Sequence, residues 1–111
     1  MGWFRRRRAK AQVERDAATV DTALLAHLRD FIATRRGIEA WVELPTGFNQ
    51  ASILLIAHDG EWTRRAMPSV GFAHQFAIDH GLPSYDAGVV PYPKRMRDYN
   101  ARNRPPKPSA G

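Results

Sequence analysis

The sequence predicts a single α+β domain of order α-β-β-β-α-β, closed by a short basic C-terminal helix, with a mainly antiparallel sheet. Three observations predict it. Apolar residues recur at helical spacing between Val13 and Ile32. Two strand-like runs, residues 38–44 and 52–58, lead into an Asp59-Gly60 turn and a third run. A second helical stripe then follows Ser69. At 111 residues the chain has room for one domain, and 43% hydrophobic against 25% charged residues is the composition of a folded one.

From about Ala11 to Arg36 one apolar stripe joins Val13, Ala17, Val20, Leu24, Leu28, Phe31 and Ile32. The spacing predicts a long helix whose start lies anywhere between Trp3 and Thr19. Arg35-Arg36 complements its C-terminal dipole, and Gly37 supplies the left-handed residue that ends it. Ile38, Ala40, Val42 and Leu44 alternate with Glu39, Trp41 and Glu43 as a first strand, stopped by Pro45. Thr46 to Gln50 is a loop. Ser52 to His58 is a second strand, apolar enough at Ile53 to Ile56 to be central and covered on both faces. Asp59-Gly60 is a two-residue type I′ hairpin signal, and Glu61 to Met67 returns as the third strand before Pro68.

Ser69 suits the N-cap of a helix reaching His80, with Val70, Phe72, Ala73, Phe76 and Ala77 inward and Gly81 after it. Tyr85 to Val90 reads as a fourth strand. Pro91-Tyr92-Pro93 then opens a basic helix, Lys94 to Ala101, in which Met96 and Tyr99 dock while Arg95, Arg97 and Arg102 face outward. The chain divides into a basic N-terminal arm (1–12), the α+β domain (13–101) and a disordered Pro/Arg-rich tail (102–111).

A tight Asp59-Gly60 turn sets Leu55 opposite Arg64 and Ile53 opposite Ala66. The core face then carries Ile38, Ala40, Val42 and Leu44 with Arg64 as its awkward member. The other face carries Trp41, Leu54 and Arg65 in one row, with Glu39, Glu43 and Thr63 around them. That row is either an exposed interaction surface, centred on Trp41 and Arg65, or the bed on which the C-terminal segment packs.

Cysteine is absent, which excludes disulfides, a thiolate nucleophile and thiolate metal ligation. No apolar run approaches the roughly 18–20 residues of a transmembrane helix. After Arg5 to Arg8 a signal peptide would need an apolar stretch, but Lys10, Glu14, Arg15 and Asp16 come instead. A cytoplasmic protein is expected.

Enzyme signatures are equally sparse. The histidines His27, His58, His74 and His80 include no pair at the spacing of four that places two imidazoles on one helical face. Phosphate-binding glycine loops and the GxSxG elbow are missing, and Ser52, Ser69, Ser84 and Ser109 have no evident base beside them in sequence. Glu39 and Glu43 share a strand without a partner acid. No catalytic, cofactor-binding or metal-ligating residue is nominated, and no cofactor is expected.

Charge distribution is more informative. The formal net charge of +6 divides into +5 on residues 1–10, −4 on residues 11–93 and +5 on residues 94–111. Arg5, Arg6, Arg7, Arg8 and Lys10 lie beside Trp3 and Phe4 at one end. Lys94, Arg95, Arg97 and Arg102 lie at the other. Cations next to rings suit phosphates and bases. The expectation is a non-enzymatic binding module whose basic ends engage nucleic acid or a ribonucleoprotein. The alternatives are an adaptor at an anionic membrane or acidic protein surface, a small enzyme of unspecified reaction, and basic termini that are simply solvated.

Two resemblances bear on this. Helix, three strands and helix is the order of the double-stranded-RNA-binding domain, but Ser69 to His74 has no lysine or arginine where that domain needs its basic cluster, which excludes it. The runs Asp59-Gly60-Glu61-Trp62-Thr63-Arg64-Arg65 and Tyr92-Pro93-Lys94-Arg95-Met96-Arg97-Asp98-Tyr99-Asn100 resemble a family of short, uncharacterised actinobacterial proteins with a DGEWTRR hairpin and a YPxRMRDYN end. The resemblance spans roughly residues 20 to 102. It implies shared structure and brings no activity or catalytic residue; the name "oxidoreductase" carried by some members finds no nucleotide-binding loop here.

Overall fold

The computed structural model describes residues 20–104. Within them the chain is an α+β domain: α1 (Thr22–Thr34), β1 (Glu39–Glu43), β2 (Ser52–Ile56), β3 (Trp62–Ala66), α2 (Val70–Asp79), β4 (Ser84–Asp86) and α3 (Lys94–Arg102). The strands form one sheet in the order β3-β2-β1-β4. Both hairpin pairings are antiparallel, and β4 joins β1 in parallel after the crossover through α2.

Local chemistry explains the element ends. Asp21 is extended (φ −68°, ψ 124°) and its side chain accepts from the Ala23 amide at 2.8 Å, so α1 begins at Thr22. An unbroken helix from Ala11 is therefore corrected at Asp21; the stretch before Val20 lies outside the described residues. Gly37 adopts φ 64° as expected, and a Cβ there would lie 2.8 Å from the Cβ of His58. Ser69 caps α2 through the Phe72 amide (3.1 Å), and Gly81 follows its last turn with φ 68°. At the end of α2, His80 Nδ1 meets the Phe76 carbonyl at 2.8 Å.

The hairpin is longer than its sequence signal. Gly60 donates to the Ala57 carbonyl (2.9 Å) and Ala57 to the Glu61 carbonyl (2.8 Å), which makes His58-Asp59-Gly60 a three-residue loop. A type I′ turn needs positive φ at Asp59, yet among the described residues no residue other than glycine has it; Gly60 alone takes φ 94°. One added loop residue shifts the register, so Ile56 pairs with Trp62, Leu55 with Thr63, Leu54 with Arg64 and Ile53 with Arg65. Every side chain of β3 changes face. The awkward cation on the helix-covered face is Arg65, and Arg64 lies with Trp41 on the other.

Both faces of the sheet are covered. On the first, α1 and α2 pack Leu28, Phe31, Phe72 and Phe76 against Ala40, Val42, Ile53 and Leu55. On the second, the segment after β4 lays Tyr85, Val90, Tyr92 and Met96 over Trp41, Leu54 and Ile56. Full burial of such side chains stabilises by about 1.5–3 kcal/mol each. The central, doubly covered β2 expected from its apolar run is present. The strand ends differ from expectation, most visibly at Leu44 and after Asp86. Leu44 lies past the end of β1 and is exposed. The strand expected over Tyr85–Val90 stops at Asp86, whose carbonyl accepts from the amides of Val89 (3.0 Å) and Val90 (2.9 Å) as the chain turns back over Trp41.

Candidate functional site

The alternation of β1 sets Glu39, Trp41 and Glu43 on the second face, and the C-terminal segment is tied to all three. Trp41 is 3% exposed; its indole donates to the Val90 carbonyl at 3.0 Å and packs against Tyr85, ring centroids 4.8 Å apart. The exposed Trp41–Arg65 row is thus corrected twice: Trp41 is the bed of this segment, and Arg65 belongs to the opposite face. Glu39 accepts from Arg95 Nη2 (2.5 Å) and Tyr85 Oη (2.8 Å). Glu43 accepts from Ser52 (2.6 Å), Tyr92 (2.6 Å) and twice from Arg64 (2.7 and 3.1 Å).

These contacts determine titration. Burial pushes the Glu43 carboxyl upward, but the hydrogen bonds from Ser52, Tyr92 and Arg64 outweigh it and hold the group below the usual carboxylate range. The Tyr85 phenol is raised, chiefly by its bond to Glu39; that of Tyr92 is raised by burial and then by Glu43. With four hydrogen bonds on its two oxygens, Glu43 is an anchor rather than a base.

The two motifs at residues 59–65 and 92–100 meet in space, because α3 lies on the hairpin. Gly60 abuts the Arg95 carbonyl so closely that a Cβ would sit 1.9 Å from that oxygen. Trp62 Nε1 donates to Asn100 Oδ1 (2.7 Å), Arg95 Nε to the Ala57 carbonyl (3.0 Å) and Arg102 Nη2 to the Asp59 carbonyl (3.0 Å). Met96 is buried beneath the helix, as expected.

The cations nominated at this end therefore separate. Arg95 points inward to Glu39, contrary to expectation, since it bridges the sheet and the hairpin. Lys94 is exposed and paired with Asp98 across one turn at 3.3 Å. Arg97 is exposed and donates to the Tyr92 carbonyl (3.2 Å). Arg102, expected at the start of the tail, is the last residue of α3 and is exposed beside the Tyr99 ring. Arg5, Arg6, Arg7, Arg8 and Lys10 lie outside the described residues. What results is a docked helix with Lys94 and Arg97 on its outer side and Arg102 exposed at its end, where it also holds the Asp59 carbonyl.

One cluster escaped sequence reasoning. His74 on α2 stands between Ser84 and Asp86 of β4: its Nδ1 meets Ser84 Oγ, and its Nε2 lies 2.8 Å from Asp86 Oδ1. Ser84, which has no base near it in sequence, has one in space. The residues are 10 and 12 apart across a helix, a turn and a strand, a separation that no local motif encodes.

A groove of about 690 Å³ opens beside Glu43, Arg64 and the exposed Phe48, and a second of about 420 Å³ lies between Arg36 and His58. Among the described residues no group of histidine, aspartate and glutamate gathers as metal ligands, and no helix is long and apolar enough to cross a membrane. Comparison of the chain with family models, curated proteins and solved structures finds no match.

Proposed function

We propose that the protein is a binding module that engages nucleic acid, free or within a ribonucleoprotein, through Lys94, Arg97 and Arg102 together with the N-terminal Arg5, Arg6, Arg7, Arg8 and Lys10. The observation that carries the reading is the docking of α3. Its inner side is pinned by Met96, Arg95 and Asn100, so its outer cations are presented from a fixed frame, and less side-chain and backbone freedom is lost on binding. Arg95, held by Glu39, is assigned to the frame and not to the contact.

Fluorescence anisotropy of the full chain with a labelled RNA or DNA tests this. If about five phosphates are neutralised, affinity falls roughly 10²–10³-fold between about 50 and 200 mM salt, since each contact adds about −0.9 to the logarithmic slope. Replacing Arg97 and Arg102 together by alanine should flatten the slope by about 2. A salt-independent curve, or tighter binding to anionic vesicles than to either nucleic acid, sinks the proposal.

A further inference from the structure

We propose that Ser84, His74 and Asp86 form an acyl-transfer site that accepts short, activated esters, an activity separate from the binding role above. The parallel pairing of β4 with β1 directs Ser84 and Asp86 to the face that α2 covers, and β4 is the last strand of the sheet on that side. From α2 the imidazole of His74 spans both side chains.

The tautomer follows from the partners. A carboxylate only accepts, so the nitrogen facing Asp86, Nε2, carries the hydrogen; a neutral ring then offers its Nδ1 lone pair to the Ser84 hydroxyl. A hydroxyl donating to a base whose far nitrogen is held by an acid is the arrangement that activates a serine. The ring is reversed relative to the serine-protease template, where Nε2 faces the serine, but the route of the proton is the same.

Access and charge stabilisation come from the strand edge. The Asp86 side chain is 58% exposed and that of His74 27%. Pro83 O and Ala87 N bond to β1 (both 2.9 Å), so the odd-numbered residues of this strand face β1. The amide N–H groups of Ser84 and Asp86 accordingly point to the open edge. There the Ser84 amide stands beside its own Oγ, where the oxyanion of a tetrahedral intermediate develops. The nucleophile lies at an open strand edge beside the exposed Asp86, where a short ester has access without needing a channel for its acyl chain.

In the reaction Ser84 Oγ bonds to the ester carbonyl carbon as its proton passes to His74 Nδ1. The intermediate collapses by breaking the bond to the leaving alcohol, which takes that proton. A water deprotonated by the same nitrogen then attacks the acyl-serine, releases the acid and restores the hydroxyl. Ser84 and His74 are the catalytic residues, and Asp86 is a positioning residue.

The test is labelling of the intact chain, near neutral pH, with a fluorophosphonate probe, the adduct being mapped by peptide mass spectrometry. One adduct on Ser84 is expected in the native protein and none after unfolding. His74→Gln should slow labelling by about 10²-fold or more. Asp86→Asn, a change at an exposed side chain, should slow it and alter its pH profile while leaving the thermal midpoint in place. Wild-type protein that gives no Ser84 adduct overturns the proposal, as does labelling that proceeds equally fast in both variants.

Discussion

Substitution of Gly60 by alanine isolates the contact that holds α3 on the hairpin. The new Cβ would lie 1.9 Å from the Arg95 carbonyl oxygen, 2.5 Å from its carbon and 2.9 Å from Tyr99 Cβ, where no real Cβ approaches within 3.0 Å. Backbone stands on the far side of the contact, so α3 must retreat by about 1 Å, enough to take a hydrogen bond out of its range. The bonds at risk are Trp62–Asn100, Arg95–Ala57 and Arg102–Asp59. At about 1 kcal/mol net each they total about 3 kcal/mol. A side chain at φ 94° adds about 1 kcal/mol more. About 4 kcal/mol corresponds to a fall in melting temperature of about 16–32 °C for a domain of this size. Gly81→Ala is the control: φ is 68° but nothing lies within 4 Å of its Cβ, so only the conformational part, about 1 kcal/mol, applies. Thermal and urea unfolding followed by circular dichroism compares the two. Equal losses of stability would refute the argument that the hairpin and α3 are locked through this contact.

Three further outcomes are expected. Trp41→Ala empties the centre of the second-face core and should destabilise by about 3–5 kcal/mol, measured by urea titration. Arg65→Ala should make the protein self-associate with concentration in sedimentation velocity. The alternation fixed by Ala57–Glu61 and Met67–Ala51 leaves the Arg64 carbonyl on the free edge of β3, and Arg65 Nη1 covers it at 2.7 Å. Because the folded Glu43 carboxyl titrates below its ordinary value of 4.5, its stabilisation is present above that pH and is lost as pH falls through the lowered folded value. The drop in urea midpoint between about pH 5 and pH 3 should therefore be shallower in Glu43→Gln.

Much of the fold was legible because local patterns decide it. Ser69, Gly81 and the arc Val70 to Ala77 delimit α2 almost to the residue, and the unbroken Ile53 to Ile56 run marks a strand covered twice. The hairpin shows the limit of such patterns. Asp59-Gly60 has the same residues in a two-residue type I′ turn and at the end of a three-residue loop; what separates them is the backbone of Asp59, which stays at negative φ. That difference exchanges the faces of Arg64 and Arg65. The partners of Arg95 were beyond reach for another reason. Wheel position alone leaves Arg95 beside Arg102, and only the packing of α3 on β1 and the hairpin turns one inward to Glu39 and the other to the loop carbonyl. His74, Ser84 and Asp86 were hidden likewise, since the crossover through α2, not sequence spacing, brings them together.

The two sides of β4 keep the proposed functions apart. Tyr85 faces Glu39 and Trp41, and through them the frame that holds α3; Ser84 and Asp86 face α2 and His74. A substitution at Arg97 or Arg102 touches no member of the His74 cluster, and Ser84→Ala removes no bond that docks α3. Nucleic-acid affinity and fluorophosphonate labelling should accordingly vary independently across these variants. Gly60→Ala sharpens the separation. Displacing α3 moves the outer cations but leaves the parallel pairing of β4 with β1, so binding should weaken while Ser84 labels at its native rate. Loss of both together would mean that β4 is held in the sheet by the C-terminal segment and not by its pairing with β1.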